Sequence, residues 1–116
     1  MTIKEWLEQA GEPVARTAFT PADVPRLPFI VFLDTEEVEG ADHINGIVRH
    51  SLIVERYSES GEPNPALEEL FQAGSPFEDK ALHWSYDLEW VSSDEMFEEI
   101  YTFETDIIER LSKEGN

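Results

Sequence analysis

Between Ala81 and Val91 the chain reads ALHWSYDLEWV. Leu82, Trp84, Tyr86, Leu88 and Trp90 alternate without a break with Ala81, His83, Ser85, Asp87 and Glu89. Successive side chains of an extended backbone point to opposite faces. The stretch therefore predicts a strand with one large apolar face against a core and one polar face toward water or a partner. Such a strand needs a sheet around it and a layer on its apolar side, and the rest of the sequence has to supply both.

Two further strands are expected before it. Phe29 to Thr35 is a continuous run rich in β-branched and aromatic residues, which predicts a strand buried on both faces or nearly so. Ile47 to Tyr57 is a longer strand, and the acidic segment between the two reads as a hairpin loop of about a dozen residues, with turn chemistry at Gly40 and Asn45-Gly46. After the alternating strand, Ser92 to Glu95 suits a hairpin connection. Residues 95–111 fit two periods. Phe97, Ile100, Tyr101, Ile107, Ile108 and Leu111 have helical spacing broken by Glu104, while Phe97, Tyr101, Phe103, Thr105 and Ile107 share a strand face broken by Glu99. The strand propensity of YTFET favours a strand, ending in a short helix near Ile108.

Two helices are expected as cover. Thr2 and Glu5 match a capping box, and Ile3, Trp6, Leu7 and Ala10 share one face of a helix that Gly11 stops. Asn64 caps a second helix with Pro65 at its first position; Leu67, Leu70 and Phe71 form its stripe, and Gly74 with Ser75-Pro76 ends it. Between the first helix and the first strand, Pro13, Pro21, Pro25 and Pro28 punctuate an irregular arm, with one helical turn expected at Thr20 to Asp23. The expectation is an α+β domain over residues 1–111, with a mostly antiparallel four-stranded sheet of two hairpins and both helices packed on one face, followed by a frayed tail, 112–116.

Charge limits what such a domain does. Eight Lys and Arg face 26 Asp and Glu in 116 residues, for a formal charge of −18, and no two of the cations are adjacent. Nucleic acids and anionic membranes are held by clustered cations, so direct binding of either is not expected. Without cysteine there are no disulfides, thiolate metal sites or cysteine nucleophiles. No apolar run is long enough to cross a bilayer and the N-terminus lacks the features of a signal peptide, so a cytoplasmic protein is the simplest inference.

The segment LPFIVFLDTEEVEGADH, Leu27 to His43, is the first candidate for chemistry. Asp34, Glu36, Glu37, Glu39, Asp42 and His43 follow one another closely, yet Asp34, Glu36 and Glu39 do not reproduce the spacing of a calcium loop, and the nearest second histidine, His50, is expected on the opposite face from His43. The reading is a solvated loop, with Glu36, Glu37, Glu39, Asp42 and His43 as candidate assembly or partner contacts. His83, Asp87 and Glu89 share the polar face of the alternating strand, as any wet face would. Trp84, Tyr86 and Trp90 read as core rather than as a stacking platform. There is no Gly-rich phosphate loop, nucleophile elbow or HExxH motif, and no catalytic, cofactor-binding or metal-binding residue is expected.

Several segments, in order, resemble a family of small tail-completion (tail-terminator-like) proteins of long-tailed phages and prophages. They are Pro13-Val14-Ala15, the Pro25-x-x-Pro28 approach, FIVFL at Phe29 to Leu33, Ala41-Asp42, and SLIVERY at Ser51 to Tyr57. A short acidic helix from Pro65 to Phe71 follows, then an aromatic strand ending Glu89-Trp90-Val91, and MFEEIYTFE from Met96 to Glu104. The segment SESGEPNP departs from the pattern, where the family usually has more lysines. The resemblance implies a non-enzymatic virion protein that assembles as a ring, commonly a hexamer, at the head–tail junction. Its partners would be itself, the tail tube and head-connector proteins, with no cofactor or small-molecule substrate. It would reside in the host cytoplasm during assembly and then in the virion neck, where the hairpin acids would line a lumen. Two other classes stay open: an acidic nucleic-acid mimic or other protein-binding module, and a small enzyme using His83 with a neighbouring carboxylate.

Overall fold

The structure is a computed structural model and describes residues 1–40 and 46–111. The elements run α1 (Ile3–Glu8), β1 (Val14–Arg16), β2 (Phe29–Glu39), β3 (Ile47–Ser58), α2 (Pro65–Ala73), β4 (Trp84–Val91), β5 (Met96–Phe103) and β6 (Ile107–Arg110). The strands form one mixed six-stranded sheet in the order β1-β2-β3-β5-β4, with β6 beside β3. This overturns the expected four-stranded antiparallel sheet. The two hairpins, β2–β3 and β4–β5, are present, but β1 adds a parallel pairing with β2 and β6 adds a sixth strand.

The long β3 organises the sheet. Its first half, Ile47 to His50, pairs with β6, and its second half, Ile53 to Ser58, pairs with β5. The helix expected near Ile108 is therefore a strand: Ile107 to Arg110 lie in antiparallel register against His50 to Ile47, where the backbone finds ladder partners that an isolated helical turn would lack. The hairpin loop is also shorter than expected. β2 continues through Glu36, Glu37 and Glu39, because β3 offers a residue opposite every one of them down to the pair Glu39–Ile47. Acidic side chains do not stop a strand whose edge faces water, and Arg49 neutralises Glu39 across the ladder at 3.0 Å.

Both helices are short, and their buried residues pack in one cluster with the sheet. The Thr2–Glu5 capping box forms reciprocally, and Asn64 caps Ala66 with Pro65 at the helix start. Ile3, Trp6 and Leu7 of α1 pack with Leu67 and Phe71 of α2 on Ile30, Phe32, Leu52, Val54 and Tyr101 of the sheet. Phe71 sits at the centre, with the rings of Trp6, Trp84, Tyr101 and Phe103 at 4.9–5.7 Å. Gly74 closes α2 at φ +124, where a Cβ would run into the carbonyl of Glu78. At Thr20 to Asp23 the arm makes a hydrogen-bonded turn rather than the expected helical turn. Its Phe19 meets Phe29 edge-on, so β2 is buried on both faces only from Phe29 to Phe32, and Leu33 is already exposed.

The alternating strand begins at Trp84 rather than Ala81, and its apolar face is not all core. Trp84 packs on the central cluster, but Tyr86, Leu88 and Trp90 are 37%, 42% and 53% exposed. The reason is reach. The helices hold six and nine residues and cover the sheet only as far as Trp84 and Tyr101, whereas β4 runs on beyond them along the sheet's edge.

Candidate functional site

Two places concentrate chemistry. The first is a pocket of about 370 Å³ where β2, β3 and β6 meet the start of α1; Lys4, Arg16, Asp34, Glu36, His50 and Glu109 are among its lining. Register builds it. Glu36 lies opposite His50 in the β2–β3 ladder, and Asp34, two residues earlier, projects on the same face. Glu109 arrives from β6, opposite Val48.

His50 is 3% exposed, stacked on Phe77 with ring centroids 5.3 Å apart and planes 17° from parallel. Its Nδ1 lies 2.9 Å from Oδ2 of Asp34 and 3.7 Å from Oε1 of Glu36, and its Nε2 lies 3.0 Å from Oε1 of Glu109. Burial pushes the imidazole pKa down, but the hydrogen bonds and negative charges of Glu109 and Asp34 outweigh it and the net shift is upward. The 2.9 Å separation of His50 Nδ1 and Asp34 Oδ2 is that of a hydrogen bond with a proton between them. Arg16 donates to the backbone carbonyl of Asp34 at 3.0 Å, and Lys4 pairs with Glu8 at 3.2 Å.

Of the residues expected as an assembly loop, Glu36, Glu37 and Glu39 lie on β2; Asp42 and His43 lie outside the described residues. Glu36 faces the pocket, and Glu37 and Glu39 project from the other face of the strand. Asp34, His50 and Glu109 carry the pocket's chemistry and were not among the expected contacts. Asp34 and Glu36 have the i, i+2 spacing of one strand face, which signals half of the set, but His50 joins them only through the register of the ladder.

The second place is the β4 edge. The outer side of β4 has no strand partner among the described residues, and Tyr86, Leu88 and Trp90 project from one face of it. Tyr86 packs edge-on against Tyr101 and Trp90 against Phe97. His83, Asp87 and Glu89 are exposed; His83 lines a pocket of about 640 Å³ with Arg49, Glu104 and Asp106, and Asp87 and Glu89 are not part of it. The charge is uneven across the sheet. Asp87, Glu89, Asp94, Glu95, Glu98 and Glu99 fall in the β4–β5 hairpin with no Lys or Arg, whereas the opposite edge, β1 and the arm to Pro28, holds Arg16 and Arg26 against Asp23 alone.

No helix among the described residues is long and apolar enough to cross a membrane. The chain matches no protein-family model, no curated protein and no solved structure.

Proposed function

We propose that this chain is a non-catalytic assembly protein that joins copies of itself through the open edge of β4, and that its role is that of a tail-completion protein at the head–tail junction of a long-tailed phage. The observation that carries self-assembly is a β4 edge without a strand partner among the described residues, with Tyr86, Leu88 and Trp90 exposed along it. Open edges offer a row of free backbone donors and acceptors, a template for pairing with another chain. The phage role is supported by the resemblance of segments along the chain and by nothing else.

Charge favours a head-to-tail arrangement. Two β4 edges meeting each other would bring Asp87 and Glu89 of both copies together, without a cation from either hairpin. An edge carrying Arg16 and Arg26 is a better counterpart. Contacts between unlike surfaces of one chain propagate into rings when the rotation closes.

Native mass spectrometry over a concentration series in moderate salt tests the reading. A ring, or a monomer that closes into one as concentration rises, is expected. A chain that stays monomeric throughout and binds neither purified tail-tube nor purified head-connector protein would sink it.

A further inference from the structure

We propose that Asp34, Glu36 and His50 form a binding site for a divalent first-row transition metal, with zinc as the first ion to try; this is independent of the assembly reading. The donor atoms of the three side chains lie within 4.8 Å of one another. For metal–ligand bonds of about 2.0–2.2 Å, neighbouring ligands sit about 3.0–3.5 Å apart around a tetrahedral or octahedral ion. The Nδ1–Oδ2 separation of 2.9 Å and the Nδ1–Oε1 separation of 3.7 Å bracket that spacing. Glu36 is exposed, so its carboxylate is free to close the remaining gap.

Features outside the three ligands point the same way. A ligating imidazole usually donates its other N–H to a carboxylate, which fixes the tautomer and leaves the ligating lone pair free. Glu109 stands 3.0 Å from Nε2, and in that tautomer the lone pair of Nδ1 faces Asp34 and Glu36. The ring and the Asp34 side chain are each 3% exposed, and Phe77 stacks on the imidazole, so two of the three ligands are held in place beforehand. Three carboxylates surround one imidazole; of the nearby cations, Lys4 pairs with Glu8, and Arg16, which also lines the pocket, donates to the backbone carbonyl of Asp34 rather than to a carboxylate. A divalent ion offsets that excess. The pocket leaves room for water to complete the coordination.

The donor set selects the class of ion. An imidazole nitrogen suits zinc and its neighbours better than magnesium or calcium, which prefer oxygen alone. Binding displaces the proton between Nδ1 and Asp34 to solvent, so each ion bound releases about one proton where the imidazole was charged.

Isothermal titration of the purified chain with zinc chloride, in excess calcium to occupy loose surface carboxylates, is the test. One equivalent per chain is expected, with affinity falling at least tenfold in Glu36→Gln and His50→Gln and by about 10- to 100-fold in Glu109→Gln. Because the His50 variant removes a buried group, the exposed Glu36→Gln variant keeps the test valid if the former fails to fold. Nitrogen NMR gives a second readout: zinc moves the Nδ1 resonance of His50 and leaves His83 unchanged. The absence of a stoichiometric site under these conditions overturns the proposal. So does zinc binding that is unchanged in Glu36→Gln with the Nδ1 resonance unmoved.

Discussion

Arg56 of β3 and Glu99 of β5 face each other across the ladder with Nη1 2.7 Å from Oε2, and Glu99 is fully buried. The rest of the guanidinium is engaged as well. Nε and Nη2 grip both oxygens of Glu12 at 2.8 Å, and Nη1 also donates to the carbonyl of Glu62. Ser58 donates to Glu99 at 2.8 Å, so the buried carboxylate does not depend on one partner. The network ties the β3–β5 pair to the turn after α1 and to the segment before α2, beneath the helix layer.

Arg56→Ala is expected to be among the most damaging single changes. It strands Glu99 and Glu12 without their cation, and breaking one side of a buried pair costs about 3–5 kcal/mol. Glu99→Gln keeps an oxygen for Ser58 and Arg56 and gives up only a charge-assisted bond, a loss of about 1.5–3 kcal/mol. Urea unfolding followed by tryptophan fluorescence checks the order, Arg56→Ala having the lower midpoint. Equal midpoints for the two variants would contradict it.

Phe71 is the keystone of the apolar layer, fully buried among four aromatic rings from α1, β4 and β5. Phe71→Ala removes most of a ring from a site whose rigid neighbours cannot collapse into the space, and about 3–5 kcal/mol is expected to go with it. Phe71→Leu should cost less. The comparison is made by thermal melts of both variants against wild type, and a melt for Phe71→Ala within a degree of wild type would refute it.

Much of this architecture is legible in the sequence where a period is long enough to read. Both helices follow from their cap residues and i, i+3, i+4 spacing and β4 from strict alternation, whereas β5 fitted two periods and was favoured as a strand only by the propensity of its YTFET stretch. β1 is three residues, Val14 to Arg16, too short to carry a period, and it becomes a strand only because β2 lies alongside. β6 was hidden because Ile107, Ile108 and Leu111 satisfy a helical spacing as well as a strand. The pocket was less legible still. His50 meets Glu109 from 59 residues away, and a one-residue slip of the β2–β3 ladder would have turned His50 to the other face. Nor does alternation reveal where a covering layer ends, so Tyr86, Leu88 and Trp90 looked like core.

Stability is expected to rise on mild acidification because of a carboxyl pair on the face away from the helices. Glu55 of β3 is pushed up from 4.5 to about 7, by burial first and then by the hydrogen bond and charge of Glu98 diagonally across the ladder. Tyr57 donates to the same Glu98 at 3.0 Å. The folded chain therefore holds a proton between pH 4.5 and about 7 that the unfolded chain releases, so unfolding free energy increases as pH falls through that window. Glu55→Gln mimics the protonated form. It should raise the melting temperature at pH 8 and leave it nearly unchanged at pH 4.5. His50 shifts in the same direction but is present in both proteins, so the difference between them isolates Glu55. A variant that melts with wild type at pH 8 would remove the carboxyl pair as a cause.

The edge prediction follows from where the apolar surface lies. Leu88 and Trp90 are half exposed, outside the central cluster, and Trp90 touches Phe97 rather than the helices. Leu88→Lys with Trp90→Lys should therefore leave the fold standing, within about 1 kcal/mol of wild type, as for substitutions away from core features. Assembly should respond very differently. Two lysines on a contact surface lose the apolar burial and add desolvation cost, and a contact that is weak per copy disappears across a ring. Sedimentation velocity at matched concentrations separates the two effects. Wild type that assembles alongside a folded, monomeric double variant is the expected result. A folded double variant that still forms the same oligomer would place the contact elsewhere on the molecule.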